Sequence, residues 1–195
     1  MSEPWPQENN GGKVLKNVVV LIKTKGETSK MKRTLIVVDM QNDFIDGALG
    51  TKQAEAIVEN VKKKIAEYQS RGDEIIFTRD THSENYLETS EGKSLPVVHC
   101  VKGTHGWELA NGLYVDGALV IDKPTFGYTG WNEFCFERLE LCGLCTDICV
   151  VSNALILKAM FPEAEISVDP SCCAGVTPQK HEAALETMRS CQIHC

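Results

Sequence analysis

The chain has 195 residues, 43% of them hydrophobic, and a formal net charge of −7. That length suffices for one domain with a sizeable core, and the acidity argues against nucleic acid or an anionic membrane as a partner. No apolar run approaches the roughly 18 residues of a membrane span and no export signal opens the chain, so its nine cysteines read as reduced thiols of a cytoplasmic protein.

Residues 1–30 differ from the rest. Ser2 to Lys13 is polar with Pro, Asn and Gly-Gly and reads as disordered, while Val18 to Lys23 allows a short strand. Met31 stands just before the first convincing strand, so residues 1–30 are expected to be an upstream extension and 31–195 the folded domain.

From Thr34 the pattern is regular. Leu35-Ile36-Val37-Val38 is a β-branched run that ends at Asp39, the mark of a strand buried on both faces. Ala54, Ile57, Val58, Val61, Ile65 and Tyr68 repeat at helical spacing, with Gly72 as the stop. Ile75 to Thr78 is a second strand ending at Asp80. The long stretch from Thr81 to about Gly117 exceeds what mere connection needs. Ala118 to Ile121 makes a third strand ending at Asp122-Lys123. Thr129 to Phe134 allows at most a short helix, and Leu139 to Leu144 is the fourth strand. A helix is expected over Asp147 to Met160, then a fifth strand over Glu165 to Val168. Thr177-Pro178 starts a last helix running to about Arg189.

Strands alternating with helices imply βαβ units: an α/β, doubly wound, mainly parallel sheet with helices on both faces. Ligand sites of such sheets lie beyond the carboxyl ends of the strands. Asp39, Asp80, Lys123 and the turn Gly143 to Val150 all fall there, which core packing does not explain. Cys149 stands where a strand hands over to a helix, and the N–H groups and dipole of a helix start favour a thiolate and can hold an oxyanion. A carboxylate such as Asp39 could take a thiol proton, and an ammonium such as Lys123 would favour the thiolate.

Asp80 and His82, followed by Glu91 and His99, make a plausible donor set for Zn²⁺, Mn²⁺ or Fe²⁺. Glu84, Glu88 and His105 compete for the same role. Cys142 and Cys145 form a C-x-x-C, but Cys142 lies inside the strand pattern, where its thiol is buried and inert. A four-thiolate site with the adjacent Cys172 and Cys173 would have difficulty converging on one ion.

Five ordered blocks carry a resemblance: Val37-Val38-Asp39-Met40-Gln41-Asn42-Asp43-Phe44, Thr78-Arg79-Asp80-Thr81-His82, His99-Cys100-Val101-Lys102-Gly103-Thr104, Asp122-Lys123-Pro124-Thr125-Phe126-Gly127 and Gly143-Leu144-Cys145-Thr146-Asp147-Ile148-Cys149-Val150. From Thr34 to Ile193 the chain resembles the isochorismatase-like cysteine hydrolases, and among them the nicotinamidases.

The resemblance implies a three-layer α/β fold and a catalytic triad of Asp39, Lys123 and Cys149. It implies an oxyanion site on the backbone N–H groups of Cys145 and Cys149, and a cis peptide at Leu144–Cys145. One divalent ion would sit on Asp80, His82, Glu91 and His99, with Glu91 preferred to Glu88 by its spacing from Asp80, and would hold the pyridine nitrogen of the substrate. Phe44 and Phe126 would line the ring pocket. The implied reaction is hydrolysis of nicotinamide to nicotinate and ammonia through a thioester, a step of NAD salvage in pyridine nucleotide metabolism. The family also implies association into homo-oligomers, for which the sequence carries no interface signal.

Two departures stand out. Leu95-Pro96-Val97-Val98 before His99 lacks the aromatic that often stacks on the substrate, which favours another small-amide hydrolase, of the carbamoyl or ureido kind. The interval from Lys123 to Cys149 is also short for a helical crossover. A catalytically silent interaction protein would be expected to have lost the lysine or the thiol, and both are present.

Overall fold

The computed structural model describes residues 33–195. The expectations placed on residues 1–30 and on a start at Met31 lie outside the described residues. Five strands form one sheet: β1 (Thr34–Val38), β2 (Glu74–Asp80), β3 (Leu119–Lys123), β4 (Arg138–Leu144) and β5 (Glu165–Ala174). Their order is β3-β2-β1-β4-β5 and every pairing is parallel. The central strand β1 is buried at every position, which is why its sequence is continuously apolar rather than alternating.

The helices are α1 (Asn42–Ile45), α2 (Lys52–Arg71), α3 (Ser90–Ser94), α4 (Val151–Met160) and α5 (Pro178–Ser190). In α2 the Thr51 side chain accepts from the Ala54 N–H, one stripe from Ala54 to Tyr68 is buried, and Gly72 closes the helix at φ 69°. Thr177 caps α5 in the same way through the Lys180 N–H. The step from β1 to β2 and the step from β4 to β5 run in opposite directions across the sheet. Right-handed crossovers therefore set α2 on one face and α4 on the other, with the sheet as the middle of three layers.

The β3–β4 connection contains no α-helix, only a 3₁₀ turn over Gly130–Glu133. Aromatic packing stands in for it. Trp131 is fully buried, and Tyr128, Phe134 and Phe136 lie with ring centroids 5.0, 5.5 and 6.0 Å from it. The long 81–117 segment holds two 3₁₀ turns, Tyr86–Glu88 and His105–Trp107, besides α3.

Three features differ from the sequence expectation. β5 continues to Ala174 instead of stopping at Val168, because Leu141 pairs with Val168 and Gly143 with Cys173, so a segment around Pro170 is looped out of the ladder. A short parallel bridge joins His194 to Ser167 beyond β5. The expected helix from Asp147 begins with a wide π-type turn, Thr146–Val150, in which the Val150 N–H reaches the Cys145 carbonyl at 3.1 Å.

Candidate active site

The carboxyl ends of β1, β2 and β3 and the turn after β4 bring their polar side chains to one place. Asp39 follows β1 at φ 47°, a left-handed conformation that aspartate tolerates better than most residues. Thr78 of β2 holds it there: its carbonyl accepts the Asp39 N–H at 3.2 Å, and its hydroxyl donates to Asp39 Oδ1 at 2.6 Å.

Lys123 ends β3 as the register partner of Asp80 across the ladder. Its Nζ lies 2.6 Å from Asp39 Oδ2 and 3.4 Å from Asp80 Oδ1. The same ammonium donates to the Thr125 carbonyl at 3.0 Å and to Cys149 Sγ at 3.4 Å. Asp39 and Lys123 are fully buried and Cys149 is 4% exposed. The structure thus brings Asp39, Lys123 and Cys149 together, from three separate stretches of chain.

The turn bearing Cys149 is shaped by its approach. Gly143 has φ 121°, and a Cβ there would fall 2.0 Å from the Val38 carbonyl oxygen, so only glycine lets β4 pass β1 at this point. The Leu144–Cys145 peptide is cis. Thr146 Oγ1 lies 2.8 Å from His181 Nδ1 on α5, and Asp147 Oδ1 accepts the Val176 N–H at 2.9 Å. Of the two residues expected to supply oxyanion N–H groups, Cys145 caps this wide turn and Cys149 lies within it.

Burial and neighbouring charge compete at each titrating group of the site. It pushes the Cys149 thiol well above its ordinary value, the neighbouring Asp39 carboxylate adds to the rise, and Lys123 opposes it. Desolvation thus works against the thiolate that a helix start and the Lys123 ammonium favour. Burial also raises Asp39 against the pull of Lys123. Burial alone would lower the Lys123 ammonium, but Asp39, Cys149 and Asp80 carry it above its usual range.

Beside this cluster, Asp80, His82, Glu91 and His99 present ligand atoms that all lie within 4.8 Å of one another. Glu91 comes from α3, just after its cap Thr89, whose hydroxyl accepts the Gly92 N–H at 3.0 Å. Glu88 and Glu84 are not in the group, and His105 has a side chain 86% exposed that faces Glu108 at 3.6 Å.

The donors fit a metal. His82 Nε2 is buried without a hydrogen bond, although it lies 2.9 Å from Asp80 Oδ2. His99 Nε2 is 3.6 Å from Asp80 Oδ2 and 3.9 Å from Glu91 Oε1. Tetrahedral donors about 2.0–2.1 Å from zinc stand roughly 3.4 Å apart, close to these spacings. His99 Nδ1 meets the Val97 carbonyl at 2.8 Å, which fixes its proton there and leaves Nε2 as the free donor.

Several residues that shape the site were not singled out from sequence. Gln41 accepts the Asp80 N–H at 2.7 Å and donates to the Asp80 and Trp107 carbonyls, each at 2.9 Å. Asp43 Oδ2 accepts the Cys100 N–H at 2.7 Å, next to His99. Tyr86 is fully buried with its ring centroid 4.6 Å from His82 and 4.9 Å from His99. Of the two expected pocket residues, Phe44 is buried 5.6 Å from the His99 ring and Phe126 is 44% exposed. Cys142 is fully buried on β4, and all nine cysteines are free thiols. Surface clefts of about 550 and 600 Å³ lie elsewhere, at the amino ends of β4 and β5 and beside residues 192–195, and bring no comparable chemistry together.

Comparison with known proteins identifies the family. The isochorismatase domain model matches residues 33–195, and the chain belongs to the isochorismatase family. It is 32% identical over 177 residues to the isochorismatase family protein PncA of Bacillus subtilis, covering 80% of this chain and 93% of that one. It is 30% identical to a nicotinamidase of Saccharomyces cerevisiae, covering 83% of this chain and 98% of the relative. Among solved structures, the zinc complex of a pyrazinamidase from Pyrococcus horikoshii superposes with a TM-score of 0.72 at 31% identity, over 84% of this chain and 97% of that one.

Proposed function

We propose that the protein is a metal-assisted cysteine amidohydrolase that converts nicotinamide and water to nicotinate and ammonia. The observation that carries this reading is a single buried ammonium, Lys123, in contact with Asp39, Asp80 and Cys149, which joins a carboxylate–thiol pair to the donor group beside it. The nicotinamidase and pyrazinamidase relatives support the substrate class.

In this reading Asp39 takes the Cys149 proton, and the sulfur attacks the amide carbonyl with Lys123 stabilising the developing negative charge. The backbone N–H groups of Cys145 and Cys149 receive the oxyanion. Asp39 then protonates the leaving nitrogen, ammonia departs, and a water deprotonated by Asp39 cleaves the thioester. The raised proton affinity of a buried Asp39 suits it to acid and base roles in turn. A divalent ion on Asp80, His82, Glu91 and His99 would supply Lewis-acid polarisation and a template for the pyridine ring. Phe44 and Phe126 would flank that ring. The product would feed pyridine nucleotide salvage.

A second reading, hydrolysis of a carbamoyl or ureido amide, is favoured by one observation. The stretch before His99 offers Leu95 and Val98 to the surface but no aromatic, and Tyr86 is wholly buried against the imidazoles, so no ring there is free to stack on a substrate. Ammonia release by the metal-loaded protein from nicotinamide, pyrazinamide and a panel of carbamoyl amides separates the two. Turnover of nicotinamide that disappears in Cys149→Ala is the expected result. Turnover confined to the carbamoyl amides would transfer the case to the second reading, and no turnover of any amide would end both.

A further inference from the structure

We propose that Asn153 is a positioning residue: its buried carboxamide ties the turn carrying Cys149 to the segment that follows Lys123, and so sets the contact between thiol and ammonium. The proposal rests on the cysteine-hydrolase reading and adds to it a residue that touches none of the reacting atoms.

The starting point is the connection from β3 to β4. Without an α-helix, its backbone N–H and C=O groups must find partners elsewhere. Asn153 lies one turn after Cys149 on α4 and is 0% exposed. Its Nδ2 donates to the Cys149 carbonyl at 2.8 Å and to the Phe126 carbonyl at 3.1 Å. Its Oδ1 accepts the Tyr128 N–H at 2.9 Å and the Trp131 indole N–H at 3.3 Å. Two donors and two acceptors are all that an asparagine side chain has, so the group is saturated.

The neighbour of Phe126 is Thr125, whose carbonyl accepts from Lys123 Nζ at 3.0 Å, and that same Nζ is 3.4 Å from Cys149 Sγ. The contacts close a ring: Cys149 backbone, Asn153 carboxamide, Phe126 backbone, Thr125 carbonyl, Lys123 ammonium and Cys149 sulfur. A lysine has a flexible four-carbon stem, and its acceptors decide where the charge sits. Asp39 and Asp80 draw the ammonium from one side. The Thr125 carbonyl holds it on the side of the sulfur, and that carbonyl stays in place because Asn153 holds the next residue.

A purely supporting role would also predict lower stability when Asn153 is replaced, so stability does not discriminate. Thiol reactivity does. The test uses the full, metal-loaded chain and follows alkylation of Cys149 by iodoacetamide at one fixed pH, by mass spectrometry of the peptide that contains it. In Asn153→Ala the rate is expected to fall about tenfold, because an ammonium that has drifted from the sulfur favours its thiolate less. If nicotinamide is the substrate, kcat should drop about 100-fold with KM within about threefold, as expected for a small misplacement of reacting groups.

Trp131→Phe removes one bond to the same carboxamide while leaving both carbonyl contacts, and its alkylation rate should stay within about twofold of the parent. Should Asn153→Ala fail to fold, Asn153→Leu keeps the volume, removes the same bonds and supplies the same comparison. Alkylation at the parent rate in a folded Asn153 variant, or an equal loss in Trp131→Phe, would overturn the proposal. A parent that does not turn over nicotinamide would refute the substrate reading alone, since the alkylation comparison stands without it.

Discussion

Two lysines of this molecule each sit between two carboxylates, and they have opposite fates. Lys64 of α2 lies 2.6 Å from Glu140 Oε1 and 2.8 Å from Asp169 Oδ2, with side-chain exposures of 16%, 18% and 21%. The circle around it is closed, because the Tyr68 hydroxyl donates to Glu140 at 2.6 Å and the Ser171 N–H and hydroxyl donate to Asp169 at 2.9 and 2.6 Å. Burial works against the charge of Asp169, but Lys64 and Ser171 hold its carboxyl down to about 2. Every charge there is locked in.

Around Lys123 the side chains are fully buried, and Asp39 and Cys149 move up, towards holding protons. Asp39 Oδ2 and His82 Nε2 are left without an aligned hydrogen bond. A structural clip and a reaction centre can thus be built from the same residue types. The difference lies in whether each polar atom is satisfied at rest.

The contrast is broken most directly at the reaction centre. Cys149→Ala should lower amide turnover about 10⁴-fold or more, and Asp39→Asn about 10³-fold, as read by ammonia release. An Asp39→Asn protein near parental activity would remove the difference between the two clusters.

Next in size is the donor group. His82→Ala or His99→Ala should weaken divalent-metal affinity at least about 100-fold, as measured by competition with a chelator dye. Lys64→Met should lower unfolding free energy in urea by about 2 kcal/mol, since it leaves two half-buried carboxylates unpaired, yet keep kcat within about twofold.

The smallest effect concerns acid. Asp169 is depressed in the fold from its ordinary value of 3.8 to about 2, so the stability it supplies is complete above the ordinary value and lost as pH falls through the depressed one. Thermal melts taken between about pH 5 and pH 2 should therefore fall less steeply in Lys64→Met than in the parent.

Much of this was readable before any coordinates. The strands ending at Asp39, Asp80 and Lys123 declared themselves by apolar runs that stop at a charge, and Gly72 marked a helix end by its freedom of φ. Glu91 joins the imidazoles while Glu88 does not, in line with the spacing from Asp80. The extension of β5 was hidden because Pro170-Ser171 reads as a turn, and only the looped-out ladder accommodates it. The π-type turn at Cys149 has no local signature. The roles of Thr78, Gln41, Tyr86 and Asn153 were hidden for a common reason: each depends on hydrogen bonds or ring contacts that reach chain distant in sequence, which no periodicity encodes. The Lys64 clip joins α2, β4 and β5 in the same way.

One feature of the sheet reaches beyond the chemistry. The strand delivering Lys123 is one of the two at the sheet's edges, five residues long, and pairs only with β2 among the described residues; its Leu119 is 47% exposed. Outer strands fray before inner ones, at a free energy below that of global unfolding. Under mild denaturant the ammonium would leave its partners while β1 and β4 still held together, so inactivation would run ahead of the loss of secondary structure. Catalytic lifetime would then be governed by the grip of one thin edge of the sheet, where the Thr81 N–H fastens to the Lys123 carbonyl at 2.9 Å, and not by the thickness of its interior.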